Sequence, residues 1–218
     1  MRIYISGIKE FLSLRGVELV TEKRRERISA YMREQDKARS LVAGLLLRHA
    51  CGVTDDSMLA FGEKGKPYLT SGRMHFNISH SGEYVVLALA GREVGVDIEK
   101  MRPYPPAVAE KVFTAAEREW LYSHKSDEAF YRLWTAKESI MKASGLGLSM
   151  AAGSFCVLPG HAPEAFGALP CATPGCSANG RAWYLDWLSF DGHMICRAIA
   201  ESNESTELII ASPTDLLS

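Results

Sequence analysis

The segment Met101–Pro106 constrains the fold of this chain most, because three of its last four residues are prolines. Proline lacks a backbone N–H and fixes φ, so this segment suits neither a helix interior nor a central strand. It lies near the middle of the 218 residues. We therefore expect a linker here, which divides the chain into an N-terminal half, residues 1–102, and a C-terminal half, residues 103–218.

Each predicted half contains one long helical pattern and several short strand patterns. In the first half we expect a strand at Arg2–Ser6 and one continuous helix from about Thr21 to Cys51. In the second half we expect a long helix from Glu128 to about Ser144, preceded by a shorter one that Thr114 caps. This mixture of helices and antiparallel strands indicates the α+β class.

The remaining strand predictions rest on alternation and turn residues. Only Gly91–Glu93 separates Tyr84–Ala90 from Val94–Glu99, so these two strands are expected to form an antiparallel hairpin. A loop is expected from Pro159 to Gly180, which is rich in alanine, glycine and proline. Further strands are predicted at Phe155–Val157, at Ala182–Phe190 and His193–Ala200 as a hairpin about Asp191–Gly192, and at Leu208–Ala211.

Composition and charge exclude several classes of protein. The chain has 25 lysines and arginines against 26 acidic residues, and this balance argues against a general nucleic-acid binder. No apolar run approaches the roughly 20 residues of a membrane span. Five cysteines make an odd count and the chain starts without a signal-peptide pattern, so we expect a reduced, cytoplasmic protein.

Two carboxylates in the stretch Val94–Glu99 are the first candidates for chemistry. Side chains alternate between the faces of a strand, so Asp97 and Glu99 should share one face. Paired carboxylates on a rigid strand suit Mg²⁺, which also takes water and phosphate oxygens as ligands. The alternative is an edge strand with a solvated polar face.

Cationic and polar side chains provide candidates for anion binding. Arg24 and Arg27 lie three residues apart and could clamp a phosphate from one helical face, although a solvated cationic face is the alternative. Ser79 can donate a hydrogen bond to a phosphate, and the adjacent His80 can exchange a proton near neutral pH. A structural role for His80 remains open.

The second long helix adds an acid and a base to the candidates. Glu138 and Lys142 are four residues apart and therefore lie on one face, with Trp134 one turn earlier. An exposed ion pair is the alternative. Thr114 and Glu117 have the spacing of a capping box, which would give Glu117 a purely structural role.

Several of these stretches together resemble the signature blocks of the 4′-phosphopantetheinyl transferases. The length of the chain, with two halves, resembles the Sfp type, named for the surfactin-synthetase activator, more than the shorter trimeric type. The matching stretches are Phe76–Ser81, Val94–Glu99, Trp134–Lys142 and the shorter Gly65–Pro67.

This resemblance implies a fold, an ion and a set of contacts. The implied fold is a monomeric pseudo-dimer of two pseudo-symmetric α+β halves with coenzyme A bound between them. The implied Mg²⁺ ligands are Asp97, Glu99 and Glu138, and the implied catalytic residues are Glu138, Lys142 and His80. The implied coenzyme A contacts are Arg24, Arg27, Arg39, Lys66, Pro67, Ser79, His80 and Lys142. Glu117 matches a family acid near the metal, which competes with its capping role.

The implied reaction is the Mg²⁺-dependent transfer of the phosphopantetheine arm of coenzyme A to a serine, with release of 3′,5′-ADP. The expected acceptor is an apo acyl, peptidyl or polyketide carrier protein of fatty acid, polyketide or non-ribosomal peptide biosynthesis. Neither nucleic acid nor membrane is an expected partner. Two rival functions fit the same residues, namely a phosphohydrolase that uses water as acceptor and a non-catalytic coenzyme A-binding module.

Overall fold

The computed structural model describes residues 1–146, 150–158, 169–171, 183–201 and 204–218, the segment 169–171 by its backbone alone. The helices are α1 (Glu22–Ala30), α2 (Glu34–Cys51), α3 (Pro106–Val112), α4 (Ala115–His124), α5 (Asp127–Ser144) and α6 (Pro213–Leu217). The strands are β1 (Arg2–Gly7), β2 (Leu59–Phe61), β3 (Pro67–Leu69), β4 (His75–Ser81), β5 (Tyr84–Ala90), β6 (Val94–Lys100), β7 (Leu169–Cys171), β8 (Trp183–Phe190), β9 (His193–Ala200) and β10 (Glu207–Ile210).

The first compact unit comprises Met1–Gly91 and Thr206–Ser218. Its main sheet has the strand order β10-β1-β5-β4, with β1 parallel to β10 and antiparallel to β5. Helix α2 packs on β1 and β5 because its apolar run Leu41–Leu47 is buried throughout. Gly52, at φ +69°, ends this helix in the left-handed conformation that glycine adopts at low cost.

The second compact unit comprises Arg92–Ser205. Its sheet is antiparallel and has the strand order β6-β9-β8-β7. Helix α5 packs across β6 and β9, and its residues Leu133, Ala136 and Ile140 recur at helical spacing and are fully buried. Ser126 caps the start of this helix by accepting a hydrogen bond from the backbone N–H of Ala129.

The two units share a topology. In each, a first strand is followed by a long helix and then by a hairpin, whose second strand pairs antiparallel with the first strand. The corresponding elements are β1, α2, β4 and β5 in the first unit and β6, α5, β8 and β9 in the second. The structure therefore has the α+β class and the repeated arrangement of elements that we predicted.

One strand pairing was predicted wrongly. Strands β5 and β6 do not form a hairpin, although only three residues separate them. Strand β5 is paired with β1 on one side and β4 on the other, and β6 pairs with β9. Because both edges of β5 are already taken, β6 must find its partner far along the chain.

Two further predictions need correction. The expected continuous helix from Thr21 to Cys51 is two helices, since Tyr31 and Arg33 have extended backbones. The expected strand Phe155–Val157 is absent, because the Val157 N–H donates to the Glu117 carboxylate, 2.8 Å away, instead of to a neighbouring strand.

Other predictions were confirmed, and some fall partly outside the described residues. The strand at Arg2–Ser6, the helix ending at Ser144, the hairpin about Asp191–Gly192 and the final short strand are all present. Most of the expected loop from Pro159 to Gly180 lies outside the described residues, but Leu169–Cys171 within it forms strand β7.

The compact units differ from the expected halves in two ways. The boundary between the units falls at Gly91, so β6 belongs with the second unit, and Thr206–Ser218 returns to the first. The division into residues 1–102 and 103–218 stays a prediction. None of the helices in the described segments combines the length and apolar character that crossing a lipid bilayer requires.

Candidate functional site

In the second unit, strand β6 and helix α5 bring four of the predicted site residues together. Asp97 is only 3% exposed. The Lys142 ammonium lies 2.6 Å from Asp97 Oδ1, while the Lys142 side chain stays 30% exposed. Strand β6 is an edge strand, but α5 covers the face that holds Asp97, so the alternative of a solvated polar face is wrong for this residue. We call Asp97, Glu99, Glu138 and Lys142 the carboxylate–lysine cluster.

Gly95 allows α5 to approach β6 this closely. It lies two residues before Asp97 and therefore on the same face of the strand. A Cβ atom added at Gly95 would overlap the Ser139 carbonyl oxygen and lie 2.6 Å from the Ala143 backbone nitrogen. The glycine thus lets the helix backbone rest directly on the strand backbone, which places Glu138 and Lys142 beside the β6 carboxylates.

The electrostatics of Glu138 show how closely the cluster interacts. Burial raises the pKa of Glu138 above the ordinary glutamate value, the negative charges of Asp97 and Glu99 raise it further, and the charge of Lys142 opposes them. Glu138 therefore experiences two neighbouring negative charges and one positive charge, that of Lys142. A site with this excess of negative charge and only hard oxygen donors fits a divalent cation such as Mg²⁺.

The cluster is not arranged as a finished metal cage. Within the described part of the chain, no three histidine, cysteine, aspartate or glutamate side chains are grouped so that they could hold a metal ion. Lys142 instead stands beside Asp97. The assignment of Asp97, Glu99 and Glu138 as metal ligands therefore stays a prediction.

In the first unit, a cavity of about 270 Å³ gathers most of the predicted anion contacts. We call it the cationic pocket. Helices α1 and α2 provide most of its wall, and β3 and β4 provide the rest. Its lining residues are Arg24, Arg27, Tyr31, Asp36, Arg39, Ser40, Ala43, Pro67, Ile78 and His80.

Arg24 and Arg27 make the pocket suited to an anion. Burial lowers the pKa of Arg24, and the positive charge of Arg27 lowers it further. Arg27 is exposed and its Nε donates to the Tyr31 hydroxyl, 3.1 Å away. Two guanidinium groups that repel each other in a half-buried pocket are stabilised when an anion binds between them. The two arginines line the same pocket, as a shared helical face implies, and their clamping of a phosphate stays a prediction.

Arg39 lines the same pocket but already has several protein partners. Its Nε and Nη2 donate to the Gly82 carbonyl oxygen at 3.1 and 2.8 Å, and its Nη1 donates to Asp36 Oδ1 at 2.8 Å. Gly82 lies in the turn between β4 and β5, directly after the strand that carries His80. Arg39 therefore connects helix α2 to this turn, and its contact with coenzyme A stays a prediction.

Ser40 is a candidate that sequence reasoning missed. Its side chain is 7% exposed and lines the cationic pocket. Among the described residues, no group accepts from or donates to its hydroxyl. A buried hydroxyl next to arginines gains a partner if a phosphate binds. Its position directly after Arg39 was the one available signal, and a lone serine in a helix does not stand out.

The other predicted contacts lie outside the lining of the cationic pocket. Pro67 lines the pocket, but Lys66, the residue directly before it, is not among the lining residues. Ser79 is buried on the face of β4 opposite His80, as alternation along a strand requires. Contacts of Lys66 and Ser79 with phosphates therefore stay predictions.

Glu117 has a structural role. The capping box with Thr114 is present, which confirms that prediction. Its carboxylate also accepts the Val157 N–H and forms an ion pair with Lys137 at 2.9 Å. Both carboxylate oxygens thus have partners within the fold, so Glu117 is a poor candidate for a metal ligand.

The relatives of this chain decide its family. It is 37% identical over 152 residues to a 4′-phosphopantetheinyl transferase of Bacillus subtilis, an alignment that covers 66% of this chain and 68% of the relative. The chain belongs to the 4′-phosphopantetheinyl transferase superfamily. The relative named 4′-phosphopantetheinyl transferase Sfp, from Bacillus subtilis strain 168, is 34% identical over the same shares of the two chains.

Family profiles match both parts of this phosphopantetheinyl transferase. The profile of the 4′-phosphopantetheinyl transferase superfamily matches residues 93–190, and that of the 4′-phosphopantetheinyl transferase N-terminal domain matches residues 9–92. The L-aminoadipate-semialdehyde dehydrogenase-phosphopantetheinyl transferase of Xenopus laevis is 35% identical, over 59% of this chain and 50% of the relative. The protein is thus an enzyme of the phosphopantetheinyl transferase kind, which argues against a non-catalytic binding module.

Solved structures add little to this assignment. The crystal structure of Thermotoga maritima holo-[acyl-carrier-protein] synthase superimposes with a TM-score of 0.35 at 18% identity. The superposition covers 50% of this chain and 63% of that one, which is too weak to support a conclusion.

Proposed function

We propose that this phosphopantetheinyl transferase moves the phosphopantetheine arm of coenzyme A to a serine of an apo acyl, peptidyl or polyketide carrier protein, in a Mg²⁺-dependent reaction. The proposal depends on one observation above all: Asp97, Glu99 and Lys142 all act electrostatically on Glu138, and Lys142 pairs with Asp97 at 2.6 Å. Family membership indicates the group transferred, and this cluster supplies the charges that transfer of a phosphoryl group needs.

Bond changes in the proposed reaction are simple. The serine oxygen forms a bond to the phosphorus that carries the pantetheine, and the bond from that phosphorus to the bridging pyrophosphate oxygen breaks. The leaving group is 3′,5′-ADP, which departs with the bridging oxygen. The serine proton must pass to a base, so catalysis needs a proton acceptor and positive charge near the phosphates.

Glu138 is the proposed base. Its raised pKa makes it a better proton acceptor than an ordinary glutamate, and it is partly buried beside Asp97. Lys142 lies one helical turn further on and can contact the phosphates or keep Glu138 ionised. A tight metal ligand cannot also be a free base, so these two roles of Glu138 compete. As the base, Glu138 accepts the serine proton either directly or through a water molecule.

Asp97 and Glu99 are the proposed partners of the divalent ion, and Glu138 is the third candidate ligand, a role that competes with its role as base. A bound Mg²⁺ would neutralise charge on the pyrophosphate and on the leaving group. The cationic pocket suits the adenosine 3′-phosphate, because Arg24, Arg27 and Ser40 all provide donors there. His80 lines the same pocket and provides a proton that can be exchanged near neutral pH.

Mass spectrometry of the acceptor tests the proposed function. The protein is incubated with coenzyme A, Mg²⁺ and each of several apo carrier proteins, and a mass gain of one phosphopantetheine on the carrier is expected. EDTA should stop the reaction and added Mg²⁺ should restore it. Free phosphopantetheine with an unmodified carrier would show that water is the acceptor, contrary to the proposal.

The variant Asp97→Asn tests the role of the carboxylate–lysine cluster. Asparagine keeps the shape of Asp97 but removes its charge, so we expect transfer to slow by about a hundredfold or more, the usual effect of losing one such electrostatic group. The control Glu128→Gln removes an acid from α5, the helix that carries Glu138, where it pairs with Arg132 at 3.0 Å, and should transfer normally. Normal transfer by Asp97→Asn would contradict the proposed cluster.

A further inference from the structure

Three consecutive residues of α5 have three different environments. Glu138 belongs to the carboxylate–lysine cluster, while its neighbours Lys137 and Ser139 are both buried and point elsewhere. Successive residues of an α-helix are separated by about 100° around the axis, so contacts at 137 and 139 lie on either side of Glu138. What holds these two neighbours therefore also sets the direction of Glu138.

Lys137 is held on one side by a dense set of contacts. It is 1% exposed, and its ammonium donates to the carbonyl oxygens of Ala152 and Phe155 at 2.7 and 2.6 Å. The same ammonium lies 4.5 Å from the centre of the Phe155 ring. All of these partners belong to the segment 151–158, which has no regular sheet partner and is fastened to α5 in this way.

Glu117 completes the node from helix α4. It is fully buried, and one carboxylate oxygen lies 2.9 Å from the Lys137 ammonium. The carboxylate also accepts the backbone N–H groups of Thr114 and Val157 at 2.7 and 2.8 Å. The buried pair therefore joins the start of α4, the middle of α5 and the segment 151–158.

Ser139 holds the helix on the other side. Its hydroxyl lies 2.6 Å from the Thr135 carbonyl oxygen of the same helix and 2.8 Å from the Cys196 carbonyl oxygen of β9. The close approach of the Ser139 backbone to Gly95 fixes the distance of α5 from β6 at the same point. Neither Lys137 nor Ser139 contributes to the carboxylate–lysine cluster itself.

A small rotation of α5 would be enough to disturb the chemistry. A glutamate carboxylate lies roughly 6 Å from the helix axis, so a rotation of about 10° moves it by about 1 Å. A misplacement of this size can cost about a hundredfold in rate. A helix that carries a catalytic carboxylate therefore benefits from anchors that resist rotation.

We propose that the buried ion pair of Glu117 and Lys137, with Ser139 on the opposite side, is a positioning device that fixes the rotation of α5 and aims Glu138 at Asp97 and Glu99. This inference rests on the proposed function, since it assigns Glu138 a part in the transfer step. None of the three positioning residues needs to touch coenzyme A or the carrier protein.

The double variant Glu117→Gln, Lys137→Met tests this role. Removing Lys137 alone would leave an uncompensated buried carboxylate and could unfold the protein, whereas the double variant leaves no buried charge. Leu185→Ala is the matched control, because Leu185 is buried in the core of the same unit and its loss destabilises without touching α5's anchors. All proteins are assayed at a temperature where circular dichroism shows them folded.

The expected result is a loss of turnover without a loss of affinity. In the double variant kcat should fall at least tenfold, while KM for coenzyme A changes less than threefold because the cationic pocket is untouched. Leu185→Ala should keep its kcat within threefold of wild type. A smaller loss of kcat in the double variant, or an equal loss in Leu185→Ala, would overturn the positioning role.

Ser139→Ala provides a second test in case the double variant does not fold. Ser139→Ala removes the anchor on the other side and leaves no buried charge, so it should fold and should lower kcat at least threefold with KM unchanged. A kcat closer to wild type would overturn the inference. Failure of the wild-type protein to transfer would instead contradict the proposed function, so the two failures are distinguishable.

Discussion

At the scale of single residues, Ser40 makes a sharp prediction because its buried hydroxyl faces the cationic pocket. We expect Ser40→Ala to raise KM for coenzyme A about tenfold, since a hydrogen bond to a charged group is worth about 1.5 kcal/mol or more. Dephospho-coenzyme A lacks the 3′-phosphate, so its KM should not change. Steady-state kinetics with the two compounds measures both effects.

The stability of Ser40→Ala provides an internal check. Removing a buried hydroxyl that has no hydrogen-bond partner among the described residues should leave the thermal midpoint unchanged or raise it. Ser29→Ala, on the exposed side of α1, is the control and should leave both KM values unchanged. If KM rises equally for coenzyme A and dephospho-coenzyme A, the pocket binds something other than the 3′-phosphate.

Glu138 links pH to stability with a definite sign. Because burial and then the charge of Asp97 raise its folded-state pKa, the folded protein holds this proton more tightly than the unfolded chain does. Wild-type stability therefore falls as pH rises from the ordinary glutamate pKa through the raised one, and the deficit persists above it. Glutamine cannot ionise and escapes this deficit.

We therefore expect Glu138→Gln to be more stable than wild type at pH 7.5 in the presence of EDTA, and inactive in transfer. The difference between the two proteins should shrink towards zero as pH falls below about 4.5, where the wild-type carboxyl is protonated in both states. Urea denaturation across this range is the measurement. A Glu138→Gln protein that is less stable than wild type at pH 7.5 would show that Glu138 is stabilised in its charged form.

Residue patterns predicted neighbours within one helix or strand better than contacts between two helices. Alternation along β6 and the four-residue spacing on α5 are local rules, so Asp97 and Glu99, and likewise Glu138 and Lys142, could be paired from sequence. The partner of Glu117 could not, because Lys137 is twenty residues away and the two meet only once α4 and α5 have packed.

At the scale of elements, Gly95 controls how closely α5 and β6 can pack. We expect Gly95→Ala to destabilise the protein by about 3 kcal/mol or more, because its Cβ would overlap backbone atoms of α5 that cannot move alone. Transfer should fall as well, since the helix carries Glu138. Chemical denaturation and the transfer assay test the two effects.

Gly91→Ala is the matched control for this substitution. Gly91 lies four residues earlier, and a Cβ added there meets no heavy atom within 4 Å. Its replacement should change stability by no more than about 0.5 kcal/mol. If Gly95→Ala loses as little stability as Gly91→Ala, the helix accommodates a side chain at Gly95 by shifting away from β6.

Element boundaries and strand partners were where sequence reasoning failed. The separation of α1 from α2 contains neither glycine nor proline, so the helical pattern runs through it unmarked. The short connection from β5 to β6 suggested a hairpin, but pairing is decided by which edges remain open after β1 and β9 have docked. Both outcomes depend on contacts between distant parts of the chain, which local patterns do not report.

At the scale of the whole molecule, the two units repeat a topology but not a set of functional side chains. Strand β1, the counterpart of β6, has no acidic residue, and β8, the counterpart of β4, has no histidine. Within the described residues, we therefore assign one carboxylate–lysine cluster and one cationic pocket to each chain. A symmetric assembly of identical subunits would be needed only if a chain lacked one of these groups.

We accordingly expect a monomer that binds one coenzyme A per chain. Light scattering during gel filtration should give a mass near 24.0 kDa at all concentrations tested, and titration calorimetry with coenzyme A should give one site per chain. The variant Ser40→Ala should weaken the calorimetric affinity without changing the number of sites, because it alters the lining of the cationic pocket. Two coenzyme A sites per chain, one of them unaltered in Ser40→Ala, would show that the second unit has its own anion site. A dimer mass would contradict the expected monomer.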